Sequence, residues 1–184
     1  MKKKSSKTVL CHDVFWRTKL VPVRKLAFRP SVYGVIIEGG RVLLSRQRDG
    51  YDFPGGGVDM GETVEQALKR EFWEETGLRV AVGMPIWCST LFFSFLDTKK
   101  GSVNAVCVYF ICRRSGGRLT DKNLVGGERE YVKKAEWIST RRVHTLRFYN
   151  SLKKSGNTAI IRRAVVVAKA LRKPAFSGLG RNEY

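Results

Sequence analysis

At 184 residues, 43% of them hydrophobic and 28% charged, the chain is long enough to bury one sizeable core and has the composition of a soluble globular domain. Its formal charge of +19 is unevenly spread: residues 1–30 carry nine Lys/Arg and one acid, residues 139–184 eleven and one, and the centre fifteen and fourteen. No run approaches the roughly 18 apolar residues of a membrane span, and His12, Asp13, Arg17 and Lys19 interrupt the stretch where a signal peptide would be apolar. Cys11, Cys88, Cys107 and Cys112 contain no C-x-x-C pair, so the expectation is buried thiols in a reducing cytoplasm and neither a zinc site nor a disulfide framework.

Residues 1–30 read as a basic N-terminal extension, disordered over about the first seven positions, with apolar residues further on that could begin a sheet. Ser31–Ile37 (SVYGVII) is rich in strand formers, Glu38-Gly39-Gly40 is a turn, and Arg41–Gln47 (RVLLSRQ) is a second strand, together a hairpin. Tyr51-Asp52-Phe53 is short and extended because Pro54 disfavours helix at Phe53. Gly55-Gly56-Gly57 then forms a loop whose backbone can come close to a ligand.

The next segment predicts a helix: Thr63 as N-cap with Gln66 completing a capping box, Val64, Ala67, Leu68 and Phe72 as the buried stripe, and Gly77 as the stop. Val80–Asp97 is strand-rich, Asn104–Cys112 is a buried strand, Ser115-Gly116-Gly117 turns it back, Lys122–Glu130 is polar loop, and Tyr131–Ser139 is a further strand. Thr158–Lys173 predicts a second helix, capped by Asn157 or Thr158, with Ile160, Ile161, Ala164, Val165, Ala168 and Leu171 as a core-facing stripe. Residues 31–174 thus form the domain, and 175–184 a loose tail. Several strands with two helices argue for an α/β protein with a mixed sheet between helices.

The chemistry concentrates in the first helix. Glu71, Glu74 and Glu75 are spaced to lie on neighbouring turns of one face, where each like-charged pair costs roughly 3 kcal/mol at an effective dielectric near 20. A hard divalent cation such as Mg²⁺ or Mn²⁺, which takes oxygen ligands, relieves that repulsion.

Gly56, Glu62, Arg70, Glu71, Phe72, Glu74, Glu75, Gly77 and Leu78 fill every position of the pattern G-x5-E-x7-R-E-U-x-E-E-x-G-U, with U bulky and apolar. The segment resembles the Nudix box. The resemblance implies a Nudix-type α/β/α sandwich and metal-dependent hydrolysis of a diphosphate linkage in a nucleoside diphosphate derivative or nucleoside triphosphate. It implies Glu74 and Glu75 as metal ligands, Glu71 as ligand or general base, and the Gly55 carbonyl as a further ligand. Arg70 either contacts the substrate or, as its neighbours favour, orients a glutamate. Glu62 is an outer or supporting partner. A further loop acid assists many family members, and Glu130, ahead of Glu128, is the candidate. Ser94 stands near where ADP-ribose hydrolases resemble one another by a proline, which speaks against that substrate.

Tyr51, Phe53 and Trp137 are candidates to stack a base, weighed against the commoner core role of strand aromatics. His12 and His144 are isolated and carry no catalytic expectation. The basic flanks allow weak nucleic-acid contact at low salt. Two alternatives remain: an enzyme acting on RNA 5′ ends, and a nucleotide-binding module of the same fold without turnover.

Overall fold

The computed structural model describes residues 7–13, 15–47, 50–95, 99, 101–125, 132–148 and 154–171. Its centre is β3 (Leu26–Glu38), which pairs in parallel with β8 (Ser102–Gly117) from Leu26↔Ser102 to Ile36↔Cys112. On its other side β3 turns through Gly39-Gly40 into antiparallel β4 (Arg41–Gln47), the expected hairpin. β5 (Gly50–Asp52) and β9 (Val132–Ser139) add to β4, and β6 (Gly55–Gly57) adds to β3. β7 (Leu78–Ser94) lies antiparallel to β8. The hairpin of β1 (Thr8–His12) and β2 (Thr18–Pro22) closes the other edge, joined in parallel to β7 at His12↔Phe93.

Alternation along the strands sends side chains to two cores, one under each helix. Val32 and Ile36 of β3, Leu43 of β4 and Cys112 of β8 pack with Ala67, Leu68 and Phe72 of α1 (Val64–Thr76). Val35, Val42, Leu44, Cys107, Tyr109 and Ile111 pack on the opposite face with Ile160, Ile161 and Ala164 of α2 (Lys154–Ala170). A mixed sheet held between two helices is the expected α/β/α sandwich. Gly34 fits α1 to β3: a Cβ there would lie 2.2 Å from the Phe72 ring.

Several local expectations are corrected. Val64 is 42% exposed, and the buried face of α1 runs instead through Ala67, Leu68, Glu71, Phe72, Glu75 and Thr76. β8 does not turn at Ser115, because pairing of Gly116 with Arg79 and Gly117 with Leu78 keeps it extended. α2 begins at Lys154, and Asn157 lies fully buried inside it instead of capping it. Leu171 is 42% exposed, past the end of the helix. All four cysteines are free; Cys88 is exposed, against the expectation of a core residue. Among the described residues no helix is long and apolar enough to cross a membrane.

Candidate active site

The site forms where the buried face of α1 changes from apolar to acidic. The helix starts as its sequence dictates: Thr63 Oγ1 accepts from the Gln66 amide at 3.2 Å, and Gln66 Oε1 accepts from the Thr63 amide at 2.8 Å. It ends on Gly77 at φ +71, whose amide donates to the Trp73 carbonyl. Between these caps, Glu71 and Glu75 sit one turn apart and are almost as buried as Phe72, at 7% and 6% exposure.

Both carboxylates are seated on the glycine strand β6. Backbone bonds from Gly34 N to Pro54 O (2.9 Å) and Val58 N to Pro30 O (3.1 Å) fix that strand to β3. Glu71 lies against Gly56, where an added Cβ would fall 2.4 Å from Glu71 Oε1. Glu75 Oε2 accepts from the Gly55 amide at 3.3 Å and from Ser45 Oγ at 2.7 Å. Gly55 itself has φ +146, and a Cβ there would meet the Val32 carbonyl at 2.1 Å, so the position demands glycine; the expected glycine loop is instead this short strand, paired with β3.

Arg70 ties the remaining acids together. Its Nε and Nη2 grip Glu62 in bidentate fashion at 2.7 and 2.9 Å, and Nη1 donates to Glu71 Oε1 at 2.9 Å and to Glu74 Oε2 at 3.2 Å. Nη2 also donates to the Gly57 carbonyl at 3.1 Å. This fork holds the Glu62 carboxyl down at about 2, chiefly through the Arg70 hydrogen bonds and then the bond from the Asp59 amide. The same partners raise the Arg70 value further. In this structure the Arg70 guanidinium is thus engaged by Glu62, Glu71, Glu74 and the Gly57 carbonyl.

Phe53, a candidate to stack a base, lies in the core. It is 1% exposed, its ring edge-on to Tyr109 at 5.4 Å and stacked with Phe148 at 5.8 Å, so it offers no face to a base. Tyr51 is half-buried, and its hydroxyl donates to Glu136 Oε2 at 3.1 Å. Burial first and the Glu136 carboxylate second push that hydroxyl up, while Glu136 pairs on its other oxygen with Arg46 at 2.9 Å. Trp137 packs against the α1-side core. Glu128 and Glu130 lie outside the described residues.

The donor set fits a hard cation in kind: carboxylate oxygens of Glu71 and Glu75 lie beside the glycine backbone, and Glu74 is linked to Glu71 through Arg70. It is not closed on one point, since among the described residues no three acid, histidine or cysteine side chains are grouped to hold a metal. Arg70 and Ser45 hold the acids apart and in place. Ser45, wholly buried on β4 and bonded to Glu75, is the residue of the candidate site that sequence reading missed. Its one visible sign is a hydroxyl directly after the apolar run Val42-Leu43-Leu44.

A family model, the NUDIX domain, matches residues 27–156, and the chain belongs to that family. A MutT-like protein of Streptomyces ambofaciens is 40% identical over 90 residues, 47% of this chain and 53% of that protein. An RNA pyrophosphohydrolase of Tolumonas auensis is 50% identical over 56 residues, 28% of this chain and 32% of its own. The chain therefore spans about half of the first relative's length and a third of the second's. Among solved structures, an ADP-ribose pyrophosphatase from Streptococcus suis superposes with a TM-score of 0.54 at 20% identity, covering 79% of this chain and 93% of the other. A MutT protein from Methanosarcina mazei does so at 0.53 and 19% identity, covering 79% and 98%. At such identities these likenesses concern the fold.

Proposed function

We propose that the chain is a Mg²⁺- or Mn²⁺-dependent hydrolase that cleaves a diphosphate linkage in a nucleoside diphosphate derivative or nucleoside triphosphate. The observation that carries the reading is the pair of buried carboxylates, Glu71 and Glu75, each seated on a glycine of the 55–57 strand. Burying two acids on adjacent turns is costly unless a cation joins them. Family membership and the filled motif agree with it.

Glu71, Glu74 and Glu75, with the Gly55 carbonyl, would hold the metal, which when bound neutralises phosphoryl charge and acidifies water. The residues of the chain then divide the remaining work. Ser45 and the Gly55 amide fix the Glu75 carboxylate. Arg70 fixes Glu71 and Glu74 and is itself fixed by Glu62. In the reaction an oxygen of water bonds to phosphorus, the bridging P–O bond breaks, and the leaving phosphate takes its electron pair. The proton of the water goes to a carboxylate, Glu71 or Glu130.

A second reading, removal of diphosphate from RNA 5′ ends, draws on the relatives named RNA pyrophosphohydrolase and on the +19 charge. Such an enzyme would contact nucleic acid through the basic flanks and lose RNA activity steeply with salt. Four free cysteines accord with a cytoplasmic setting. The deciding experiment is a product-resolved screen with Mg²⁺ across nucleoside triphosphates, dinucleoside polyphosphates, ADP-ribose, nucleotide sugars and 5′-triphosphate RNA. Turnover of a nucleotide supports the first reading, and turnover confined to RNA the second. Nucleotide binding without turnover on any of them would favour a non-catalytic module.

A further inference from the structure

The glycine strand has a second face. Gly56 meets Glu71 on the α1 side, and the next residue, Gly57, points to the other side, where a Cβ would lie 2.3 Å from Arg29 Nη2. Arg29 is on β3, two residues before Ser31, so the two share one face of the strand, and Ser31 is the register partner of Gly57. The missing side chain of Gly57 is what lets the guanidinium lie against the backbone here.

Two features of this spot call for an anion. Arg29 is half-buried, its Cζ 5.2 Å from the centre of the Phe95 ring, yet among the described residues it forms no ion pair. Ser31 is 2% exposed, and its Oγ has no hydrogen-bond partner among the described residues. A half-buried cation that forms no ion pair among the described residues, and a buried hydroxyl with no partner among them, are each unfavourable. One tetrahedral anion satisfies both, since guanidinium and hydroxyl donate to neighbouring oxygens of a phosphoryl group. Arg70, the other guanidinium touching Gly57, is already spent on the glutamates, so Arg29 is the cation this strand leaves for a ligand. Burial first of all pushes the neighbouring Tyr33 hydroxyl well up, and the Arg29 charge opposes that rise.

We propose that Arg29 and Ser31, facing Gly57, form a subsite for a phosphoryl group of the substrate, one backbone away from the Glu71 and Glu75 carboxylates. The subsite rests on the hydrolase reading only for which molecule brings the phosphoryl group; the anion chemistry stands by itself. The acids and the guanidinium then flank the glycine strand with opposite charge, the acids engaging phosphate through a cation and Arg29 engaging it directly. In that arrangement Arg29 contributes to substrate affinity more than to the chemical step.

The test is calorimetric titration of the full chain with inorganic pyrophosphate and, separately, inorganic phosphate, both in EDTA so that the glutamates contribute no metal-bridged binding. Wild type should bind pyrophosphate, and more tightly than phosphate; phosphate bound as tightly would assign the subsite to the released product. Arg29→Ala should weaken pyrophosphate by about tenfold or more, the loss of a charge-assisted contact, with Arg29→Lys in between. Ser31→Ala should weaken binding by several fold and at the same time raise the thermal unfolding midpoint, because it deletes the orphaned hydroxyl. A packing role for Ser31 would not pair those two signs. No binding of either anion by wild type overturns the proposal, as does Arg29→Ala within twofold of wild type. Should Arg29→Ala fail to fold, Arg29→Lys and Ser31→Ala decide. A chain that binds pyrophosphate through Arg29 but hydrolyses nothing would refute the hydrolase reading and leave the subsite standing.

Discussion

Ser45 Oγ donates a 2.7 Å hydrogen bond to Glu75 Oε2 across thirty positions of sequence, and both residues are buried. The bond joins β4 to α1 at the point where a carboxylate has been drawn out of water, and such a group needs donors. Ser45→Ala removes one of them. Stability should fall by about 1.5–3 kcal/mol, the range for a hydrogen bond to a charged group. If Glu75 is a metal ligand, the half-saturating Mg²⁺ concentration should rise as well. Denaturant unfolding and a Mg²⁺ titration of turnover check the two; a variant indistinguishable from wild type in both would remove Ser45 from the site.

Gly56 and Glu71 offer a steric test. A Cβ on Gly56 would stand 2.4 Å from Glu71 Oε1 and 2.7 Å from its Cδ, so the carboxylate must leave its seat while Arg70 still pulls on it. Displacing a catalytic group by about 1 Å can cost about a hundredfold in rate, and Gly56→Ala should lower kcat on that scale with the fold retained. Gly116→Ala, whose Cβ would find nothing nearer than 3.9 Å, is the matched control and should keep its rate. Equal rates for the two variants would mean that Glu71 need not sit where it does.

Much of this was legible because it is local. The capping box at Thr63, the stop at Gly77 and the hairpin around Gly39-Gly40 are set by residues within four positions of each other, and the structure has them. The glutamate spacing is helical and survives for the same reason. What could not be read were relations between distant strands. Phe53 and Tyr51 are neighbours in an extended segment, yet pairing places one in the core and the other against Glu136 from β9. Ser45 and Arg29 carry no motif; each matters through a partner brought by the sheet, Glu75 for one and Gly57 for the other. The strand at residues 8–12 is stabilised by β2 and β7, partners that a basic extension read only as able to begin a sheet does not name.

Removing Arg70 should expose the electrostatic cost that the glutamates carry. Arg70→Ala leaves Glu62, Glu71 and Glu74, now all within reach of one guanidinium, without a shared cation. A loss of about 2 kcal/mol is expected in EDTA, between the values for exposed and fully buried ion pairs. Mg²⁺ should recover part of it in the variant, since the metal takes over charge that the arginine neutralised. Arg70→Lys should not restore wild-type stability, because an ammonium cannot span Glu62 in bidentate fashion while also reaching Glu71 and Glu74. Urea unfolding with and without Mg²⁺ measures this, and a loss that Mg²⁺ leaves untouched would separate Arg70 from the metal site.

The depressed Glu62 carboxyl gives the network a signature in acid. Arg70 is the largest cause, followed by the Asp59 amide, and together they bring the group from its ordinary 4.5 to about 2. A carboxyl whose folded value lies below its unfolded one binds fewer protons in the native state, so its contribution is complete above 4.5 and lost as pH falls toward about 2. Glu62→Gln abolishes that titration while keeping the side chain's shape. Wild type should therefore exceed the variant in stability at neutral pH. The gap should begin to narrow as pH passes 4.5 and should close near 2. Unfolding midpoints of both proteins across this window supply the comparison. A constant gap would show that the Arg70–Glu62 fork does not hold the carboxylate ionised, and a gap that widened in acid would reverse the sign of the coupling altogether.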